Sequence, residues 1–187
     1  VNTTVSGIPL HWPDGKAQFA ISPSVPPGFR GAIGTGLATW DALSQLQYTN
    51  GGLTGTDTWG GNPDSVNNMV WISTNWEGIT GADSNVIAVT RVRYNTLNGE
   101  LSDADIGFDA EYFTWDMSND TSSANMNVQN VTTHEAGHFS GLGDIYDPNQ
   151  FGYVSYMGSG NREVTMFGYI KNGEFKKIDL ELPDSTG

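Results

Sequence analysis

Apolar and polar positions alternate along "KAQFAIS" (Lys16 to Ser22), the period of a half-buried strand. A Pro-Gly turn opens "PSVPPGFRGAIGTGLATWDALSQL", and beyond it Phe29, Ile33, Leu37 and Trp40 recur on one helical face. The glycines there form no phosphate loop, because no Lys-Ser/Thr follows them. "MVWIST" (Met69 to Thr74) reads as a buried strand and "SNVIAVTRVRYN" (Ser84 to Asn95) as another, with Asn98-Gly99 as a turn. "SDADIGFDAEYFTW" (Ser102 to Trp115) reads as a further strand ending in polar residues. A helix is expected to start near Asn125 or Asn127. Residues 142–187 read as mostly irregular, with a short terminal helix near Asp179. There is no internal repeat, low-complexity tract or interdomain linker.

The 187 residues fit one domain with a sizeable core. The formal net charge of -13 argues against nucleic acid and anionic membrane surfaces, both of which need clustered Lys and Arg. High solubility, or a salty or calcium-bearing environment, is the plainer implication. With no cysteine there is neither a disulfide framework nor thiol chemistry. No apolar run approaches the roughly 18 residues of a membrane span. The glycine-, asparagine- and threonine-rich, lysine-poor composition suggests a loop-rich, secreted or extracellular domain. The opening at Val1 without a signal-like start is expected of a mature or trimmed chain, in which a removed signal or pro-segment would leave no trace.

One stretch changes the picture. "TTHEAGHFSGLGDIYD" (Thr132 to Asp147) holds two of the three histidines in the chain. On a helix, residues four apart lie one above the other, so His134 and His138 can turn imidazole nitrogens on one ion. Zinc suits such a pair. Glu135, next to the first histidine, sits beside the metal, where a general base must be to take a proton from zinc-bound water. Gly141 can end the helix in the left-handed conformation. The chain can then swing back to present Asp144 as third ligand, leaving the fourth position to water. Two imidazoles and one carboxylate leave the site at +1, where three imidazoles would leave +2. The competing reading is a chance surface pair of histidines, or Asp144 outside the ligand shell with Asp147 or water on the metal.

"HEAGHFSGLGD" resembles the zinc-binding signature of the metzincins, with an aspartate where most members have a third histidine, as in snapalysin-like proteases. The wider context is similar to the bacterial and archaeal matrixin-like branch. "VTMFGY" (Val164 to Tyr169) resembles the Met-turn, which makes Met166 its methionine, although Gly168 stands where matrixins usually have proline. "ADIGFDAEYFTW" resembles the strand leading toward the active-site helix.

The resemblance implies a zinc metalloendopeptidase of α+β fold: a twisted mixed sheet with two main helices above the cleft, and a small irregular C-terminal subdomain. The single catalytic domain would divide into residues 1–141 and 142–187. It would act as a monomer on a protein or peptide substrate. An edge strand would bind that substrate as an added antiparallel strand. Ile87, Ala88, Val89, Thr90 and Arg91 are the candidates for this edge, with Val89 among the amides expected to face the peptide.

Other assignments are weaker in signal. Met157 is the rival Met-turn residue. Tyr169 is a candidate oxyanion donor or cleft wall. Glu163 would be the third ligand only in a thermolysin-like arrangement. His11 reads as a surface residue. Asp103, Asp105 and Asp109, and Asp57 with Asp64, are oxygen clusters suited to structural calcium. Asn2, Asn119 and Asn130 fit the glycosylation pattern, but Asn130 falls on the expected zinc helix. A catalytically silent, zinc-bearing peptide-binding module is the alternative function, against which the retained Glu135 argues. A zinc hydrolase acting on something other than a peptide is a third class.

Overall fold

A computed structural model describes residues 1–43, 45–60, 64–145 and 164–180. The strands are β1 (Lys16–Ile21), β2 (Gln47–Leu53), β3 (Asn67–Ile72), β4 (Ala88–Tyr94) and β5 (Leu101–Asp109). They form one mixed sheet in the order β2-β1-β3-β5-β4. All neighbours run parallel except β4, which is antiparallel to β5. The helices are α1 (Arg30–Ala38), the short α2 (Trp76–Thr80) and α3 (Val128–Phe139). A small parallel pair, β6 (Trp115–Asp116) and β7 (Met126–Asn127), leads into α3.

The architecture is mixed α/β. Period-2 alternation in β3 sends Met69 to the helix side and Val70 and Ile72 to the other. Met69 joins Phe19, Ile33, Leu37, Trp40, Ile106 and Phe139 in the main core. Val70 and Ile72 pack with Trp59 and Trp76 in a smaller cluster on the opposite face. The expected face of α1 is seen: Ile33, Leu37 and Trp40 are buried and Phe29 packs against them, with a 3₁₀ turn (Thr39–Ala42) carrying Trp40.

Several boundaries differ from expectation. The strand predicted over Ser102 to Trp115 ends at Asp109, whose Oδ1 accepts the N–H groups of Glu111 and Tyr112 and turns the chain. A carboxylate that caps backbone amides breaks the ladder. Strand β2 lies outside the expected elements: "QYTNGGL" is mostly polar and exposed, as an edge strand permits, and shows no alternation. The terminal one-turn helix (Lys176–Ile178) falls just before Asp179.

β4 is an outer strand, and among the described residues no strand pairs with its far side. Asp109 N–H donates to the Ile87 carbonyl at 2.9 Å, and the register continues with Val89 opposite Gly107 and Arg91 opposite Asp105. Bonded and non-bonded positions alternate in an antiparallel pair. Ile87, Val89 and Arg91 therefore turn their backbone groups into the sheet, and Ala88, Thr90 and Val92 turn theirs to the free edge. This corrects one expectation: the amide of Val89 is committed to Gly107.

Candidate metal centre

Helix α3 is placed from both ends. The Asn127 side chain accepts the Asn130 N–H at its start, as a helix cap does. At its end the Gly141 N–H reaches the His138 carbonyl and the Leu142 N–H reaches the Gly137 carbonyl, both at 2.9 Å. Gly141 has φ +88°, so this is a Schellman motif closed by a glycine in the left-handed region. Trp12 Nε1 donates to the Phe139 carbonyl, and Trp40 Nε1 to that of Thr133. The helix that carries both histidines is thus pinned at its middle and at its C-terminal end.

The turn returns the chain to the face of α3 that carries both histidines. Asp144 Oδ1 lies 3.2 Å from His134 Nε2 and 3.4 Å from His138 Nε2. The other ring nitrogens are committed. His134 Nδ1 meets the Thr165 carbonyl at 2.6 Å, and His138 Nδ1 meets the Leu142 carbonyl at 2.9 Å. A carbonyl only accepts, so each Nδ1 carries a proton and each Nε2 turns toward Asp144, as a lone pair when a cation is bound there and as a second N–H when the ring is protonated. Three lone-pair atoms facing one another repel unless a cation or proton lies among them. The spacing fits a cation: ligands about 2.0–2.1 Å from a tetrahedral ion stand roughly 3.3 Å apart. Two imidazole nitrogens and one carboxylate oxygen are a zinc-type donor set.

The charges respond accordingly. Burial lowers the His138 pKa, but its hydrogen bond to Asp144 and the nearby Glu135 and Asp144 charges outweigh this and raise it to about 9. Burial pushes the Asp144 carboxyl up, yet the two imidazoles hold it well below the usual carboxylate range.

Glu135 is buried, 4% exposed, and with His134 and His138 offers ligand atoms all within 4.8 Å of one another. Its Oε2 accepts the Thr90 hydroxyl at 2.6 Å. That contact joins α3 to the edge strand, across 45 residues of sequence, and no local pattern signals it.

Met166 is buried directly beneath the helix. A Cβ at Gly137 would overlap its sulfur and approach Trp40 Cζ2 to 2.9 Å, so glycine is needed there. The carbonyl of Met166 accepts the Ile145 N–H at 2.8 Å, next to Asp144. One short turn, Val164 to Phe167, therefore fixes the His134 tautomer and the position of Asp144 together. The rival Met157, together with Asp147 and Glu163, lies outside the described residues.

Below this turn, Lys177 is 0% exposed, and its ammonium donates to the Phe167 carbonyl at 2.6 Å and the Tyr169 carbonyl at 2.8 Å. Burial lowers its pKa, against the pull of Glu174 3.5 Å away. Nothing in "FKKI" signals this brace, because a lysine beside a second lysine carries no local mark of burial.

The site opens into a cleft of about 740 Å³ between Val86–Thr90 of the sheet edge, the two histidines and Gly168–Ile170. Of the expected edge residues, Arg91 does not line it; its guanidinium stacks over Trp59 on the opposite face. Tyr169 lies at the lower lip, 64% exposed.

The remaining expectations fall elsewhere. His11 is exposed, with Nδ1 on the Pro9 carbonyl. Asn130 is fully buried. Asp105 accepts the Asn68 and Gly60 amides, Asp109 caps its turn, and Asp57 accepts from Ser22 and Ser24. These aspartates thus serve backbone and hydroxyl donors. Among the described residues the only potential metal-holding group of side chains found is His134, Glu135 and His138, which Asp144 adjoins. No helix among them is long and apolar enough to cross a membrane. No protein-family profile matches the chain, and no curated protein sequence is significantly similar to it.

Proposed function

We propose that the chain is a secreted, zinc-dependent endopeptidase that hydrolyses peptide bonds with Glu135 as general base, in the manner of the metzincins its signature resembles. The observation that carries this reading is the convergence of His134 Nε2, His138 Nε2 and Asp144 Oδ1 at 3.2 and 3.4 Å, beside the buried Glu135. Those three residues would hold the ion. Zinc bound there supplies Lewis acidity, which polarises a scissile carbonyl and acidifies water.

The chain's own groups supply the rest. A substrate segment adds to β4 as an antiparallel strand, bonding the outward backbone groups of Ala88, Thr90 and Val92. This lays its backbone along the cleft over α3. The Glu135 carboxylate takes a proton from the attacking water as the new C–O bond forms. It returns that proton to the amine nitrogen as the C–N bond breaks. Tyr169, at the lip, is the candidate donor to the oxyanion.

The test is cleavage of denatured casein or gelatin by purified protein, before and after chelation and after zinc is restored. Cleavage lost to chelator and recovered with zinc is expected. Absence of cleavage by zinc-loaded protein, or cleavage indifferent to chelator, overturns the reading.

A further inference from the structure

We propose that Thr90 is a positioning residue for Glu135, and that it ties the place of the edge strand to the aim of the base. This rests on the endopeptidase reading above. Thr90 Oγ1 donates to Glu135 Oε2 at 2.6 Å and lies 3.2 Å from the backbone carbonyl of the same residue. A hydroxyl has one proton, and the shorter contact, to the carboxylate, takes it. Among the described residues no other side chain hydrogen-bonds this carboxylate. One oxygen of Glu135 is therefore fixed and the other is left for the cleft.

The holder stands in an unusual place. Thr90 lies opposite Ile106 on the outermost strand, and its backbone N–H and carbonyl face the free edge. A β-branched side chain in a strand has few χ1 choices, so the direction of its hydroxyl follows the backbone. A peptide bonded to Thr90 thus loads the residue that aims the base. Ala88 and Val92 share the outward backbone but have no hydroxyl, so the coupling passes through Thr90 alone.

The test compares zinc-loaded wild type, Thr90→Val and Thr90→Ser. Valine keeps the shape and deletes the donor; serine keeps the donor. Thr90→Val is expected to retain zinc, hold KM within about twofold and lose kcat about 10- to 100-fold, the scale of one hydrogen bond to a charged group. Thr90→Ser is expected to recover most of that kcat. A second readout needs no turnover: the Glu135 side-chain carboxyl ¹³C resonance in zinc-stripped protein, assigned by its loss in Glu135→Gln. It should move in Thr90→Val and stay in Thr90→Ser. If valine does not pack, Thr90→Ala repeats both measurements without filling the site. Wild-type kcat and an unmoved resonance in the hydroxyl-free variant overturn the proposal. Equal losses in the valine and serine variants overturn it too, reducing Thr90 to packing. If wild type shows no chelator-sensitive cleavage, the endopeptidase reading fails and the catalytic meaning of the contact falls with it.

Discussion

His134 Nδ1 lies 2.6 Å from the carbonyl oxygen of Thr165, 31 residues further along the chain. The contact locks the imidazole tautomer from outside its own helix. It also means that α3 and the Val164–Phe167 turn must approach closely, which they do at Gly137, against Met166 and Trp40. Gly137→Ala is therefore expected to lower unfolding free energy by about 1–3 kcal/mol, the usual cost of overfilling a packed interior. It should also reduce zinc retention. Urea denaturation with zinc analysis reads both. Unchanged values would mean that the turn yields without cost.

Glu135→Ala should keep zinc and fold yet lose turnover by about 10²–10⁴-fold, the scale of general-base help. Parallel kcat and zinc measurements decide it. Near-normal peptide cleavage would remove Glu135 from the chemistry.

The edge register separates two neighbouring proline substitutions. Val89→Pro deletes an amide paired with Gly107 and leaves a carbonyl inside the sheet unpaired, at a cost of about 1–3 kcal/mol of stability. Ala88→Pro removes a donor that faces outward, so it should leave stability nearly intact and raise KM. Thermal melts and steady-state kinetics on both variants check this. The reverse pattern would mean that substrate does not pair with this edge.

Much of this was legible in the chain, for identifiable reasons. His134, Glu135, His138 and Asp144 could be grouped because helical spacing and a terminating glycine are local properties. The start of α3 near Asn127 and the buried face of α1 are local in the same way. What stayed hidden depends on contacts far apart in sequence: Thr165 on His134, Thr90 on Glu135, and Lys177 buried under Phe167 and Tyr169. No local period signals these. The phase of the edge amides is set by pairing with β5, which a single strand does not reveal.

Asp103 gives a pH dependence whose sign can be worked out. Burial, with repulsion from Asp105 and Asp64, raises its carboxyl to about 6 against the lowering pull of Arg93. An acid with a raised folded pKa binds more protons folded than unfolded, so its contribution falls as pH rises from about 4 to 6. Asp103→Asn should then stabilise the protein at pH 7.5 by about 1 kcal/mol, allowing for screening by solvent, and by almost nothing below pH 4. Urea melts of both proteins at the two pH values give the difference. Millimolar calcium that stabilises wild type but not the variant would instead assign the carboxylate to a cation.

Asp144 is the residue on which the zinc assignment turns. Its Oδ1 reaches both Nε2 atoms, and its position depends on the Gly141 turn and on the Met166 carbonyl that holds Ile145. Two imidazoles without it make a poor tetrahedral site, and the compensating negative charge goes as well. Asp144→Ala should therefore weaken zinc binding by at least about 100-fold, since a ligand itself should matter no less than the 10–100-fold typical of its supporting partners. Asp144→Asn keeps the shape and an oxygen but not the charge, so its affinity should fall between alanine and wild type. Competition against a chelator of known affinity, at fixed pH, orders the three proteins. Equal affinity in wild type and Asp144→Ala would place Asp144 outside the ligand shell. Equal affinity in the alanine and asparagine variants, both weakened, would show that the carboxylate acts through its charge and that the retained oxygen adds nothing.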